Sequence, residues 1–266
     1  MRGKRKLVVT TVYEPTLSEI EQAKEIAVFL QLPYVKRGRR SLGNLRKLCQ
    51  IDTLIVAADS GPKISTPDGE LFFHIGMAAL RIKNFRDGKP DHMAAAMELS
   101  QGVSVLDCTL GLGTDAIVAS MLTGERGAVI GLEASELIAF ITGWGLANLS
   151  AEANDITAAM RRIDVISADY RQYLPTLPDN YVDIVYFDPM FRRPVHRSSG
   201  IRPLREFADT GCLLEADLRQ ACRVAKRRVV VKETHGSPEF KRLGITTLVG
   251  GKYSSVQYGV IEQEGC

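Results

Sequence analysis

The run Val103-Ser104-Val105-Leu106-Asp107-Cys108-Thr109-Leu110-Gly111-Leu112-Gly113-Thr114-Asp115-Ala116 decides the fold of this chain. Its first five residues are mostly apolar and close on an acid, the pattern of a buried strand. Gly111 and Gly113 then allow a tight turn that a ligand can approach closely, just where TDAIVASMLTG (114–124) starts a helix. Outward from this unit the alternation repeats. AVIGLE (128–133) reads as a strand, SELIAFITGWGLANLS (135–150) as a helix, Asp164 to Ser167 as a strand and YVDIVYFD (181–188) as another. A helix near Leu213 to Val224 precedes the strand RRVVVK (227–232). Such alternation predicts a mostly parallel sheet covered on both faces. The last two strands, ITTLVG (245–250) and VQYGVIE (256–262), are joined only by GKYSS and must pair antiparallel, because no crossover fits between them.

Residues 1–100 read as an α/β segment of their own, and residues 101–266 as the domain that carries the chemistry. KLVVTTV (6–12) suits a strand, SEIEQAKEIAVFLQ (18–31) keeps helical apolar spacing, a short helix is expected around Ser41 to Cys49, and TLIVAA (53–58) is a second strand. The turn signals Asp59-Ser60-Gly61-Pro62 and Thr66-Pro67-Asp68-Gly69 flank KIST and ELFFHI, which predicts a hairpin or a β-rich lid. The expected task of this N-terminal segment is substrate recognition.

The chain has 266 residues, of which 45% are hydrophobic and 24% charged, enough apolar surface for a real core and too little bias for disorder or a fibre. Its apolar runs, such as Leu54 to Ala58, are far too short for a membrane span. The opening MRGKRKLVVTTVYEP lacks a secretory pattern, so a cytoplasmic location is expected. With 34 Lys and Arg against 31 Asp and Glu, the net charge of +3 does not by itself call for a nucleic-acid partner. The 5 cysteines are widely spaced without a Cys-x-x-Cys pair, and only 4 histidines accompany them, so neither a disulfide framework nor a metal site is expected.

The glycine turn has two common uses. A pyrophosphate needs a third glycine where Ala116 stands, and Asp115 adds negative charge beside it, so a dinucleotide is disfavoured. The other use is to cradle the amino-acid end of S-adenosylmethionine, whose ammonium prefers acids such as Asp107 and whose carboxylate can accept from helix-start N–H groups and the Thr114 hydroxyl. Glu133 closes the second strand, where a carboxylate can accept both ribose hydroxyls; NAD enzymes use the same device. Asp169, after the third strand, can accept from an adenine amino group, with Tyr170 near for stacking. Asp188-Pro189-Met190-Phe191 ends the fourth strand. An exocyclic base amine is a poor nucleophile and must be oriented. The Asp188 carboxylate and the Pro189 carbonyl can each accept an N–H, proline offers no competing donor, and Phe191 can stack on the ring.

In this order, Asp107, Gly111-Leu112-Gly113, Glu133, Asp169, Asp188-Pro189-Met190-Phe191 and the closing antiparallel strands resemble a class I S-adenosylmethionine-dependent methyltransferase of the amino-methylating kind. Met190 stands where that group usually has a second proline. The DPMF form, with RVVVK and FFHIGMAALRIKNFRDGKPDHMAAAMEL, is similar to bacterial ribosomal RNA methyltransferases that modify guanine N2 in the small subunit. The resemblance spans roughly residues 69 to 262. It implies a Rossmann-like seven-stranded methyltransferase sheet with the N-terminal α/β appendage, S-adenosylmethionine as cofactor, no metal and ribosomal RNA as partner. It also places Thr114 and Asp115 at the methionine end of the cofactor, Glu133 and Ala134 at the ribose, Asp169 and Tyr170 at the adenine, and Asp188 where cofactor and amine meet.

Arg192, Arg193, Arg197, Arg202 and Arg205 follow the Asp188 strand with no acid before Glu206, a placement that suits contacts to phosphates around an entering base. Lys36, Arg37, Arg39 and Arg40 form a second basic cluster. A nicotinamide-dependent oxidoreductase, a non-catalytic RNA-binding protein, and a methyltransferase acting on DNA, protein or a small molecule remain the other readings.

Overall fold

The computed structural model describes residues 7–189, 211–252 and 254–265. Of these, residues 7–73 form one compact unit and the chain from His74 onward forms the other.

In the first unit, β1 (Leu7–Thr11) leads to α1 (Leu17–Phe29), α2 (Leu42–Cys49), β2 (Thr53–Ala57), β3 (Lys63–Thr66) and β4 (Gly69–Phe72). The sheet order is β1-β2-β3-β4, with β1 and β2 parallel and the rest antiparallel. The start of α1 is fixed chemically: the Thr16 hydroxyl accepts from Glu19 N–H at 3.2 Å while the Glu19 carboxylate accepts from Thr16 N–H at 2.9 Å. The other Glu19 oxygen accepts from Asp59 N–H at 3.1 Å, so one buried acid ties the helix start to the loop after β2. Val8, Leu45, Ile51, Leu54 and Val56 make the core. The hairpin expected from the paired turn signals is present, with Thr66 opposite Gly69.

The second unit contains α3 (Gly76–Arg86), α4 (His92–Met97), β5 (Ser104–Asp107), α5 (Thr114–Thr123), β6 (Ala128–Glu133), α6 (Glu136–Asn148), α7 (Asn154–Arg161), β7 (Ile163–Ser167), α8 (Tyr170–Tyr173) and β8 (Val182–Phe187). After the undescribed residues follow α9 (Glu215–Val224), β9 (Ala225–Thr234), α10 (Pro238–Arg242), β10 (Thr247–Val249) and β11 (Val256–Glu262). The seven strands are ordered β10-β11-β9-β8-β5-β6-β7. Neighbours from β9 to β7 are parallel, and β11 runs antiparallel to both β9 and β10, as the short GKYSS connection requires. Leu106, Val185, Phe187, Val229 and Val231 pack with Leu218 and Ala221 of α9 on one face. The alternate positions Val105, Ile184, Tyr186 and Val230 are also wholly buried, so both faces of the central strands are covered.

One expectation needs correction. The N-terminal segment ends at Phe73, not near residue 100, because α3 packs on α5 and α4 packs on β9, β10 and β11, with Met93 and Met97 wholly buried. The cysteines are mixed: Cys49, Cys108 and Cys212 are free thiols, whereas Cys222 is disulfide-bonded. Among the described residues no helix is long and apolar enough to cross a membrane.

Candidate active site

The order of the sheet reverses at β5, where one crossover leads to β6 and another to β8, and the carboxyl ends of β5 and β8 therefore flank the place where open α/β sheets take ligands. Cys108 N–H donates to the Tyr186 carbonyl at 2.9 Å, which continues the pairing past the end of β5. Thr109 then bridges the two ends. Its N–H donates to Asp107 at 3.0 Å, and its hydroxyl accepts from Asp188 N–H at 2.6 Å.

The glycine turn follows at once. Gly111 and Gly113 hold φ of 54° and 77°, left-handed values that side chains resist, and Gly113 caps α5 with no side-chain cap bond. The first N–H groups of α5 are thereby left for an anion. Glu133 fastens the turn to the end of β6. One of its oxygens accepts from Gly111 N–H at 3.0 Å and the other from Ser135 N–H at 2.8 Å. A carboxylate oxygen accepts more than one hydrogen bond, so these backbone bonds do not prevent Glu133 from taking a hydroxyl as well. Thr142 of α6 donates to the Gly111 carbonyl at 2.7 Å from behind.

Period-2 alternation places Tyr186 and Asp188 on the same side of the sheet as Val230 and Lys232, since Tyr186 lies opposite Val230. On that side the ammonium of Lys232 meets Asp188 at 2.7 Å and Asp115 at 2.9 Å. The Tyr186 hydroxyl donates to Asp115 at 2.7 Å, and the Arg81 guanidinium of α3 pairs with the other Asp115 oxygen. Arg81 in turn grips Asp91 by two bonds of 2.8 and 2.9 Å.

These neighbours set the charges. Burial pushes the Asp107 carboxyl up to about 8, with only the Thr109 N–H and the more distant Lys232 opposing; among the described residues no cation stands at ion-pair distance from it. Burial also raises Asp188 above the usual carboxylate range, and Lys232 opposes that rise. Asp115 goes the other way: burial is outweighed by Lys232 and Arg81, which hold it below the usual range. Burial would lower Lys232, but Asp115 and Asp188 outweigh it and keep the ammonium charged.

The structure thus brings Asp107, Gly111, Gly113, Thr114, Glu133, Asp188 and Pro189 to the ends of β5, β6 and β8 or to the turn between them. Ala134 follows Glu133 and is exposed. Asp169 caps α8, accepting from Arg171 N–H at 2.9 Å. Two positions differ from the expectation. The Asp115 carboxylate is bound by Lys232, Arg81 and Tyr186, so its charge is already balanced. The Tyr170 ring is buried edge-on to Phe187, with ring centres 5.2 Å apart, and the Arg171 guanidinium lies over it at 4.6 Å. Phe191, Arg192, Arg193 and Arg197 lie outside the described residues. Sequence reasoning missed Thr109, Arg81, Thr142 and Lys232. Lys232 alone left a signal, as the one charge closing the apolar run VVVK.

A seven-stranded sheet with one reversed strand, a glycine turn after β5 and an acid after β6 define the class I methyltransferase architecture. The family described as "putative SAM-dependent methyltransferase" matches residues 68–254, and the chain belongs to it. YpiP of Bacillus subtilis, an uncharacterized protein, is 39% identical over 96% of this chain and 99% of its own length. A ribosomal RNA small subunit methyltransferase J from Chromohalobacter salexigens is 33% identical over 68% of this chain and 72% of its own. The Hydrogenovibrio crunogenus protein of that name is 29% identical, and the match spans only 57% of its length. A solved SAM-dependent methyltransferase from Neisseria gonorrhoeae shares the fold, with a TM-score of 0.62 at 19% identity over 97% of both chains. The protein is therefore an S-adenosylmethionine-dependent methyltransferase. The residues present fit this cofactor: a buried carboxylate awaits a cation at Asp107, and an uncapped helix start awaits an anion beside it.

Proposed function

We propose that the chain methylates an exocyclic amine of a nucleic-acid base, guanine N2 in small-subunit ribosomal RNA, in the cytoplasm. The observation that carries this reading is Asp188-Pro189 at the carboxyl end of β8, joined through Thr109 to Asp107 and the glycine turn. The name borne by the Chromohalobacter and Hydrogenovibrio relatives supports ribosomal RNA as the substrate class.

In this reading Asp107 faces the ammonium of the cofactor, the start of α5 with Thr114 takes its carboxylate, Glu133 with Ala134 takes the ribose hydroxyls, and Asp169 takes the adenine amino group. The cofactor supplies a methyl group made electrophilic by a sulfonium, which becomes a neutral thioether as the positive charge passes to the amine nitrogen. The chain supplies orientation. Asp188 and the Pro189 carbonyl each accept an N–H, which turns the nitrogen lone pair toward the methyl. The methylated amine is acidic, and its proton passes late to the Asp188 carboxylate, so Asp188 need not be a strong base. A paired guanine must first leave its stack, at a cost of a few kcal/mol drawn from stacking and phosphate contacts.

The test is methyl transfer from tritiated S-adenosylmethionine to total RNA of a cell lacking this protein, with the labelled base identified by mass spectrometry. Label on guanine N2 of small-subunit RNA is expected; no label in RNA, with label appearing when the DNA, protein or small-molecule fraction of that cell is supplied instead, overturns the reading. Asp188→Ala should abolish transfer while S-adenosylhomocysteine still binds within a few-fold. Glu133→Ala should weaken that binding by about tenfold or more, the worth of a charge-assisted hydrogen bond.

A further inference from the structure

We propose that Lys232 is the positioning residue of the transfer step: held by Asp115, it grips one oxygen of Asp188 and keeps that carboxylate ionised and aimed for the incoming amine. The proposal deepens the reading of Asp188 given above and rests on it.

The geometry is a chain of alternating charge. Asp91 binds Arg81, Arg81 binds Asp115, Asp115 binds Lys232, and Lys232 binds Asp188. The first four groups are neutral as a set, so the negative charge of Asp188 is left over for a positive charge that develops on the amine. Lys232 occupies only Asp188 Oδ2; among the described residues Oδ1 accepts no hydrogen bond. Asp188 N–H is fixed on the Thr109 hydroxyl at the same time, so the residue is anchored through both its backbone and its side chain.

The second carboxylate explains why the ammonium can be this buried. When Asp188 takes the amine proton and becomes neutral, Lys232 still faces Asp115 at 2.9 Å, and no unpaired buried cation arises at any stage. The Tyr186 hydroxyl, donating to the same Asp115 oxygen, holds that carboxylate in place. A purely structural lysine would need only one of these two partners.

The groups around Asp188 set the sign of each test. Lys232 meets it from β9, the charges of Glu233 on β9, Asp115 on α5 and Asp107 on β5 and the Tyr186 hydroxyl on β8 act on it, and Tyr258 of β11 and Arg81 of α3 act through Lys232 and Asp115. Of these only Lys232 and Arg81 carry positive charge. Loss of Lys232 leaves Asp188 among acids in a buried site, and its protonated form gains. Loss of the Asp115 charge has the opposite effect, because it removes repulsion and leaves Lys232 to Asp188 alone.

The full chain carrying Lys232→Met, Lys232→Arg or Asp115→Asn tests this. In Lys232→Met, kcat at pH 7 should fall about tenfold or more, and the acid limb of the kcat profile should move up by roughly 1–3 pH units. KM for RNA should stay within about twofold. Lys232→Arg should bring the limb back toward the wild-type position, and Asp115→Asn should move it down. A limb that stays put in Lys232→Met, or that moves the same way in Lys232→Met and Asp115→Asn, overturns the proposal, since lost packing alone has no such opposed signs. If Lys232→Met fails to fold, Lys232→Arg and Asp115→Asn still decide the direction. Titration of the Asp188 carboxyl by carbon-13 NMR reads the same shifts without any acceptor. It therefore separates failure of the Lys232 role from failure of the RNA assignment, in which the wild type methylates no RNA.

Discussion

Asp107 is wholly buried, and among the described residues no cation stands at ion-pair distance from it, unlike Asp115 and Asp188 with their Lys232. Its raised carboxyl is a direct consequence, and it links proton binding to ligand binding. A ligand ammonium favours the ionised form, so affinity for S-adenosylhomocysteine should fall as pH drops below about 8, by up to tenfold per unit, and level off above it. Binding near neutral pH should release a proton, measurable by calorimetry in buffers of different ionisation enthalpy. The stability of the unliganded protein has the opposite sign. Between the ordinary carboxylate value near ~3.9 and about 8 the folded state holds the proton that the unfolded chain has lost, so this group's contribution declines as pH rises through that window. Asp107→Asn should flatten both dependences. A variant that binds the ligand with the wild-type pH slope would show that another group takes the ammonium.

At the scale of elements, the glycine turn depends on the middle of β6 as well as on Glu133 at its end. Leu110 N–H donates to the Leu132 carbonyl at 2.9 Å, and the Leu110 side chain lies flat on Gly131 in the middle of β6. A Cβ at Gly131 would come within 2.5 Å of Leu110 Cδ1 and 2.9 Å of its Cγ, so the whole side chain and the turn behind it must shift. Gly131→Ala should cost about 1–3 kcal/mol of stability, the usual range for overpacking, and weaken S-adenosylhomocysteine binding, both readable in one thermal-shift titration. Gly143→Ala, in the interior of α6 where an added Cβ meets Val165 at an ordinary 3.7 Å, should leave binding unchanged and raise stability by up to about 1 kcal/mol, and serves as the control. The sequence showed Gly111 and Gly113 because they interrupt a strand-to-helix transition. It hid Gly131, which sits inside an apolar run and matters only through a neighbour 21 positions away. The same reason hides Thr109, Arg81 and Lys232: their partners are brought together by sheet register and helix packing, not by spacing along the chain. Strands, the glycine turn and the reversed last strand were legible since local periodicity and short connections determine them; α3 and α4 were not, because small residues such as Ala78, Ala94 and Ala96 pack inward without a strong apolar stripe, and α7, with Ile156, Ala159 and Met160 inward, is only 8 residues long.

At the scale of the whole molecule, a net charge of +3 says little, since the basic residues are unevenly spread. In the unit formed by residues 7–73, Lys36, Arg39 and Arg40 are exposed and, among the described residues, have no acidic partner in an ion pair. Arg37 between them is structural: it donates to the Arg40 carbonyl at 3.0 Å and the Thr11 carbonyl at 3.3 Å, and it lies 5.8 Å from the centre of the half-exposed Tyr13 ring. An anchored arginine that spaces three exposed cations suits a phosphate backbone better than a merely solvated loop would. Neutralising Lys36, Arg39 and Arg40 together as Gln, with Arg37 kept, should therefore raise KM for RNA. The same variant should reduce the salt dependence of RNA binding by about 2 in the log–log slope, because each phosphate neutralised on a single strand is worth ~0.7. Affinity for S-adenosylhomocysteine and kcat at saturating RNA should not change, because none of the three residues belongs to the site on the seven-stranded sheet. An unchanged salt slope in the triple variant would remove this loop from the RNA-binding surface and leave substrate choice to the chain beyond Phe73.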